Sequence, residues 1–392
     1  MYTLHEALDI LKKNNFTLPA EEVDLKKSVS RILCEDVYSD INIPPFDKSA
    51  MDGYACRSED LSQSLEVIGT LYAGSNEIFR IGPGTCVKIM TGAPVPEGAD
   101  TVIIQEDTTE EKNNRIRCGK AASKTNICKS GEDVKKGDLV LSSGTFLLPH
   151  HIAVLASAGK ARVKVSGQPR ISVLATGSEL VEPDSKPGPA QIRNSNAYQI
   201  IAQLQSMNLT AKYQGIAVDD KESVKHILSG LLVSSDMVIV TGGASAGDHD
   251  HIPQIFRELD LKLQFTRLAI QPGKPVSFAK GKNKFCFGLS GNPVSSLLQF
   301  EILVKPFLFH IMGSMYSPSV VLSEIADPIT RKKTGRLKFF PVRFNSSGQA
   351  EEIGFNGSAH IAGLINADGF GIFPKGCETL NAGDKIEILL IK

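Results

Sequence analysis

The chain has no tryptophan, only 6% aromatic residues and no surplus of either charge, with 43 Lys+Arg against 43 Asp+Glu over 392 residues. A protein that binds nucleic acid non-specifically needs a basic surplus to neutralise phosphates, so the zero balance argues against that class. Any basic function is therefore local. C-x-x-C pairs are missing too. The seven cysteines, Cys34, Cys56, Cys86, Cys118, Cys128, Cys286 and Cys377, are scattered and odd in number. Neither a disulfide framework nor a thiolate zinc site is signalled, which points to the reducing cytoplasm. Apolar runs such as Ile152 to Ala156 and Met237 to Val240 fall far short of the roughly 18 residues of a membrane span. No signal peptide is expected either. Thr3 and Glu6 form a capping box before Leu4, Ala7, Leu8 and Leu11, at the spacing of an amphipathic helix.

What is present is glycine (34) and proline (20), slightly above average usage, which indicates tight turns rather than low complexity. No repeat of fixed period occurs, but the texture changes three times. After Pro44 and Pro45, short apolar runs punctuated by Gly82-Pro83-Gly84, Gly92, Pro94 and Gly137 read as an all-β insert. From about residue 169, strands alternate with helices. Ile171 to Ala175, Ala211 to Ala217, Met237 to Thr241 and Phe285 to Leu289 are candidate strands; Asn194 or Ser195, Asp220 and Asn292 are candidate N-caps, and Pro253 and Pro293 sit near first turns. Strand, short loop and helix in repetition predict a parallel sheet covered on both faces. Beyond Gly313 the helical signals stop, and glycine-turned strands predict a small β domain.

Unusual residues collect where the candidate strands end. Thr176, Gly177 and Glu179 follow the first, Asp219 and Asp220 the second, Gly242 through Asp250 the third, and Ser290, Gly291 and Asn292 the fourth. In an open parallel sheet that edge binds ligands, so one cleft is expected to gather all four. Glycine turns at helix starts present free N–H groups that suit a phosphate, although Gly242 and Gly243 read equally well as a tight connection. Carboxylates beside a phosphate loop repel the ligand unless a cation lies between, so Glu179, Asp219, Asp220, Asp248 and Asp250 point to magnesium. Asp220 reads better as a helix cap. A transition-metal reading of Asp248 to His251 lacks a second histidine cluster. Lys274, on the turn with Pro272 and Gly273 and downstream of Arg267, suits an anion or is a solvated tip. The basic stretch Arg331, Lys332 and Lys333, with Arg336 and Lys338, reads as solvated surface.

Two loops, PPFDKSAMDGYA around Asp52 and MTGAPVPEGAD around Thr91, fit no periodicity. Together with TGSEL, VDD, TGGASAGDHD, QPGKP and GLSGNPVSS, in this order and spacing, they make the chain resemble the molybdopterin molybdenumtransferase family, the MoeA proteins and the E domain of gephyrin. The resemblance covers essentially the whole chain. It implies a multi-domain α/β plus β protein. Residues 1–16 and 169–315 would form a three-layer α/β/α domain of the molybdopterin-binding type, 41–140 a β-rich insert, 17–40 and 141–168 a linking domain, and 316–392 a C-terminal β-barrel. It also implies an elongated homodimer. The implied reaction inserts molybdate into adenylylated molybdopterin with release of AMP and requires Mg2+.

Carried over by position, Asp52, Thr91, Glu179, Asp219, Asp250 and Lys274 would be catalytic, with Glu179, Asp219 and Asp250 on the metal. Asp52 and Thr91 would face the α/β domain of a second subunit. Thr176, Gly177, Gly242, Gly243, Ser245, Gly247, Arg267, Pro272, Gly273, Ser290, Gly291, Asn292, Arg336 and Ser358 would bind the pterin nucleotide or the anion. Many members carry lysine at the position of Gln271. A molybdopterin adenylyltransferase and molybdoenzyme apoproteins are the implied partners, with neither nucleic acid nor membrane. The alternatives are a non-catalytic molybdopterin carrier or scaffold of the same fold, and a CinA-type hydrolase that shares only the α/β domain.

Overall fold

Ile171–Thr176 (β1) and Met237–Thr241 (β3) are runs of apolar and β-branched residues with every position buried, the mark of strands covered on both faces. In the computed structural model, which describes residues 1–14, 16–119, 125–243, 251–314, 316–354 and 357–391, they lie in a six-stranded sheet. The other members are Ala211–Ala217 (β2), Lys262–Arg267 (β4), Pro275–Gly281 (β5) and Lys284–Leu289 (β6), in the order β2-β1-β3-β6-β5-β4. The first four strands are parallel and the last two antiparallel to their neighbours. The register sets Thr176 opposite Ala217, Ala175 opposite Thr241, and Thr241 opposite Leu289. Four strand ends therefore open on one edge.

Alternation along the strands feeds two cores. Val173, Ile239 and Phe287 face one side, with Leu11 of Leu4–Lys12 (α1), Ile200 of Asn196–Ser206 (α2), and the helical run from Pro293 to Ile311. Leu174, Val240 and Cys286 face the other, beneath Leu228 of Lys221–Ser234 (α3) and Phe256 of Ile252–Glu258 (α4). The N-terminal capping box forms as expected, with Thr3 and Glu6 exchanging backbone and side-chain bonds. Asp220 caps α3 through the Ser223 N–H at 2.8 Å. The run Pro293–Ile311, built of Pro293–Gln299 (α5), a π turn and Lys305–Ile311 (α6), is 19 residues long and apolar enough to span a membrane by length and composition. No candidate span was expected from the sequence. Here the run is 78% buried inside the protein, its apolarity spent on the sheet and on α1.

The insert holds a second six-stranded sheet, from Gly53–Cys56 to Arg115–Cys118, around Ala55, Val87 and Val102. Two distant chain segments pair where Ala20–Asp24 runs antiparallel to Arg162–Ser166. In the C-terminal part, Val320–Glu324 (β7), Leu337–Phe344 (β8), Gly369–Phe373 (β9) and Lys385–Leu390 (β10) form an order β8-β9-β10-β7. A bridge from Ile325 to Ala350, whose strand pairs with β8, closes the circle into a barrel. The two-residue strand Ile270–Gln271 pairs in parallel with Leu337 and Lys338. Phe339, Phe370 and Leu389 of the barrel join the core beneath β6. The barrel and the α/β sheet are thereby locked side by side.

The solvated-surface reading of the basic stretch fails at Arg331. It is only 8% exposed, and its guanidinium donates to the carbonyls of Cys377 (2.8 Å), Arg336 (2.9 Å) and Pro374. It also lies over the Phe373 ring at 4.5 Å. Turns at 331–337 and 374–377 have carbonyls with no ladder partner, and one planar cation satisfies three of them. Lys332 and Lys333 are exposed, as read.

Candidate active site

Between the carboxyl edge of the sheet and the barrel lies a cavity of about 710 Å³. Its walls follow from the strand ends. β1 delivers Thr176, Gly177 and Glu179, the β2 end delivers Asp219, β3 delivers Gly242 and Gly243, and β6 delivers Ser290, Gly291 and Asn292. The turn before β5 adds Gln271, Pro272, Gly273 and Lys274; the barrel adds Arg336, Lys338, Phe339, Gly357 and Ser358. Ser245, Gly247 and Asp250, together with Asp248 and His249, lie outside the described residues. Arg267 stands exposed at the end of β4 and is not part of the cavity wall.

The glycines are there for close approach. Gly242 has φ +96°, and a Cβ on it would overlap the Thr176 carbonyl oxygen. Only glycine lets β1 and β3 end this close with the backbone turned into the left-handed region. Thr176 is 1% exposed, and its Oγ1 has no hydrogen-bond partner among the described residues, an unsatisfied hydroxyl on the cavity wall. Buried hydroxyls are normally paired, so this one is available to a ligand.

Two buried amides, neither signalled as functional by its surroundings in the sequence, hold the loops together. The Asn196 Nδ2 at the start of α2 donates to Thr241 Oγ1 (3.0 Å), Gly291 O (2.8 Å) and Ser290 O (3.3 Å). Gln299 in α5 bonds the turn around Lys274 and the backbone of Ser290. The available clue was a lone glutamine inside an apolar helical run.

Asn292 occupies the N-cap position of α5, as expected, but does not cap it. Its Nδ2 donates instead to Ser358 Oγ at 2.8 Å, and the Val294 N–H donates to the Ser358 carbonyl at 3.1 Å. The barrel thus takes over the helix end and becomes part of the site. Arg336 Nη1 reaches the Ile270 carbonyl at 3.3 Å, a second tie across the same seam.

Charge is sorted within the cavity. Glu179 and Asp219 lie on the wall made by β1 and β2, and neither carboxylate has a hydrogen-bond or ion-pair partner among the described residues. Lys274, Arg336 and Lys338 come from the turn and the barrel. Lys338 lies 3.5 Å from Glu352 and near the rings of Phe340 (5.4 Å) and Phe373 (5.8 Å). Sequence reasoning counted it as surface; the pairing with Gln271 brings it to the cavity.

Asp52 and Thr91 are brought to each other and not to this cavity. The backbone N–H and the hydroxyl of Thr91 both donate to Asp52 Oδ1, at 2.7 Å each, in the insert. Those two bonds, the backbone one first, hold the Asp52 carboxyl below the usual range. An exposed carboxylate fixed this firmly is pre-oriented rather than free.

Comparison with known proteins places this arrangement. Three family models match in succession: "MoeA N-terminal region (domain I and II)" over residues 2–159, "Probable molybdopterin binding domain" over 172–310, and "MoeA C-terminal region (domain IV)" over 325–391. A molybdopterin molybdenumtransferase of Staphylococcus aureus is 33% identical, over 98% of this chain and 94% of its own length. One of Haemophilus influenzae is 35% identical over 99% and 98%. A crystal structure of the molybdopterin biosynthesis MoeA protein from Pyrococcus horikoshii OT3 superposes with a TM-score of 0.83, at 30% identity and full coverage of both chains.

Proposed function

Because this chain belongs to the MoeA family, the family of the molybdopterin molybdenumtransferases, we propose that it acts in molybdenum cofactor biosynthesis. In this reading it inserts molybdate into adenylylated molybdopterin and releases AMP. The observation that carries it is one cavity in which glycine-lined strand ends, two unpartnered carboxylates and three cations from two domains converge.

Each group has a task in that reaction. The backbone N–H groups of Gly243 and Gly291 bind phosphate oxygens, since those of Gly242 and Ser290 already donate to the Leu289 carbonyl and to Gln299 Oε1. Lys274 and Arg336 attract molybdate and offset charge on the phosphoryl oxygens when the pyrophosphate link to AMP breaks, in a site partly shielded from water. The Thr176 hydroxyl gives a further donor. Glu179 and Asp219 form the all-oxygen donor set that a hard divalent cation takes together with substrate phosphate. They are the residues that would hold Mg2+, with Asp250 as the third carboxylate, and the ion would neutralise phosphate charge there.

The reading extends to a homodimer in which Asp52 and Thr91 reach the cavity of the opposite subunit, and to a cytoplasmic setting, which seven free thiols suit. Asp52 and Thr91 pair with each other away from the cavity wall, which is what supports a contribution from another copy. An adenylyltransferase that supplies the nucleotide and apoproteins that accept the cofactor are the corresponding partners.

Molybdate-dependent AMP release from adenylylated molybdopterin tests the reading. The unaltered protein releases AMP, and Glu179→Gln, Asp219→Asn and Asp250→Asn each lower the rate by about 100-fold or more. Binding of the adenylylated pterin with no AMP release at any molybdate concentration would return the protein to the carrier reading.

A further inference from the structure

Gln299 sits in a stretch of α5 that is otherwise packed as core, between Leu298 and Phe300, and has no exposed surface. A buried carboxamide has two donors and one acceptor oxygen to satisfy. All three bonds of Gln299 end on the cavity loops. Its Oε1 accepts from the Ser290 N–H at 2.8 Å, while its Nε2 donates to the carbonyls of Gly273 at 2.9 Å and Pro275 at 2.7 Å.

Those two carbonyls flank Lys274. The lysine therefore stands on a short arch whose feet are both held by one amide. The orientation of that amide is fixed by its partners, since a backbone N–H demands the oxygen and two carbonyls demand the nitrogen. The arch also fits closely over the amide. Gly273 has φ +94°, and a Cβ on it would lie 3.2 Å from Gln299 Nε2. The oxygen of the same carboxamide fixes Ser290, whose loop continues through Gly291 into the start of α5. Among the described residues, the one other bond to Lys274 is the Leu268 N–H donating to its carbonyl at 2.9 Å.

We propose that Gln299 is a positioning residue that sets the Lys274 cation against the Ser290–Gly291 loop, and so fixes where an oxyanion is held in the cavity. The coupling of the two loops is read from geometry alone; the identity of the anion as molybdate rests on the function proposed above. Gln299 touches no substrate. It acts through Lys274, and a displacement of about 1 Å at a reacting centre costs on the order of 100-fold.

Two variants and two measurements test this. Gln299→Met keeps the length and apolar packing but makes no hydrogen bond, and Gln299→Glu keeps the shape but loses both N–H donors while ionised. Amide hydrogen exchange reports the loops without any substrate. In Gln299→Met, exchange rises at Gly273, Lys274, Ser290 and Gly291 while the barrel strands stay as protected as before. In turnover, Gln299→Met lowers kcat/KM for molybdate by about 100-fold. Its loss in a Lys274→Met background is well short of that factor, because residues acting as one unit are non-additive and only the hold on Ser290 is left to lose. The activity of Gln299→Glu recovers as pH falls, since the protonated acid regains one donor for a carbonyl.

Unchanged exchange at both loops overturns the proposal. So does a Gln299→Met loss that multiplies fully with that of Lys274→Met, or a Gln299→Glu profile parallel to that of the unaltered protein. If Gln299→Met does not fold, the pH profile of Gln299→Glu decides. Absence of molybdate-dependent turnover in the unaltered protein sinks the functional reading, while the exchange measurement still judges the coupling of the loops.

Discussion

Replacing Arg331 by methionine separates a structural cation from a surface one. The guanidinium is almost fully buried, makes three bonds to the carbonyls of Cys377, Arg336 and Pro374, and covers the Phe373 ring. Bonds to a charged group are worth about 1.5–3 kcal/mol each, but desolvation of the cation offsets much of that sum. What an experiment sees is the cost of truncation. Three carbonyls lose their donor at about 1–3 kcal/mol for each one that water does not reach. Their residues are part-exposed or exposed, so about 3 kcal/mol in total is expected for Arg331→Met. Arg331→Lys, with one compact ammonium in place of a planar fork, recovers only part of it. The chain has several domains, so a single unfolding free energy is not defined. The assay is hydrogen exchange in β8, β9 and β10, which reports opening of the barrel alone. Lys332→Ala and Lys333→Ala are internal controls and shift it by no more than about 0.5 kcal/mol. Barrel protection in Arg331→Met within about 0.5 kcal/mol of the unaltered protein would refute the reasoning.

Gly242→Ala places a methyl group against the Thr176 carbonyl and strains a left-handed backbone. We expect loss of AMP release and a lowered melting temperature, and a variant with unaltered melting and turnover would show that the β1 and β3 ends can part freely. Glu258 joins α3 to α4 by accepting from Lys221 (2.6 Å), Lys225 (2.8 Å) and Gln254 (3.0 Å), bonds that pull its carboxyl from 4.5 to about 2. A depressed carboxyl stabilises the fold above its unfolded value, so this contribution is complete at neutral pH and fades as pH falls from 4.5 through about 2. Titration of the Glu258 carboxyl by NMR checks it, and a midpoint at the ordinary value would remove the pairing.

The parallel sheet was legible because burial on both faces writes itself as unbroken apolar runs, and the strand ends because glycine, serine and aspartate interrupt them. The same logic puts Glu179, Asp219, Gly242 and Ser290 on one edge from the sequence alone. It stopped where a residue's role depends on something distant in the chain. Arg331 and Lys332 look alike in sequence, and only the return of the 374–377 turn decides that one is buried. Asn292 has the right type and place for a cap. The cap was not made because Ser358, 66 positions away, offers its side chain a partner. Lys338 belongs to the cavity because a two-residue strand at Ile270–Gln271 pairs with β8, a contact too short to carry any periodicity. Local pattern fixes the half of this site that lies on consecutive strand ends. The half that supplies its cations is set by the docking of the barrel, and there a charge is informative only once its partner across the seam is known.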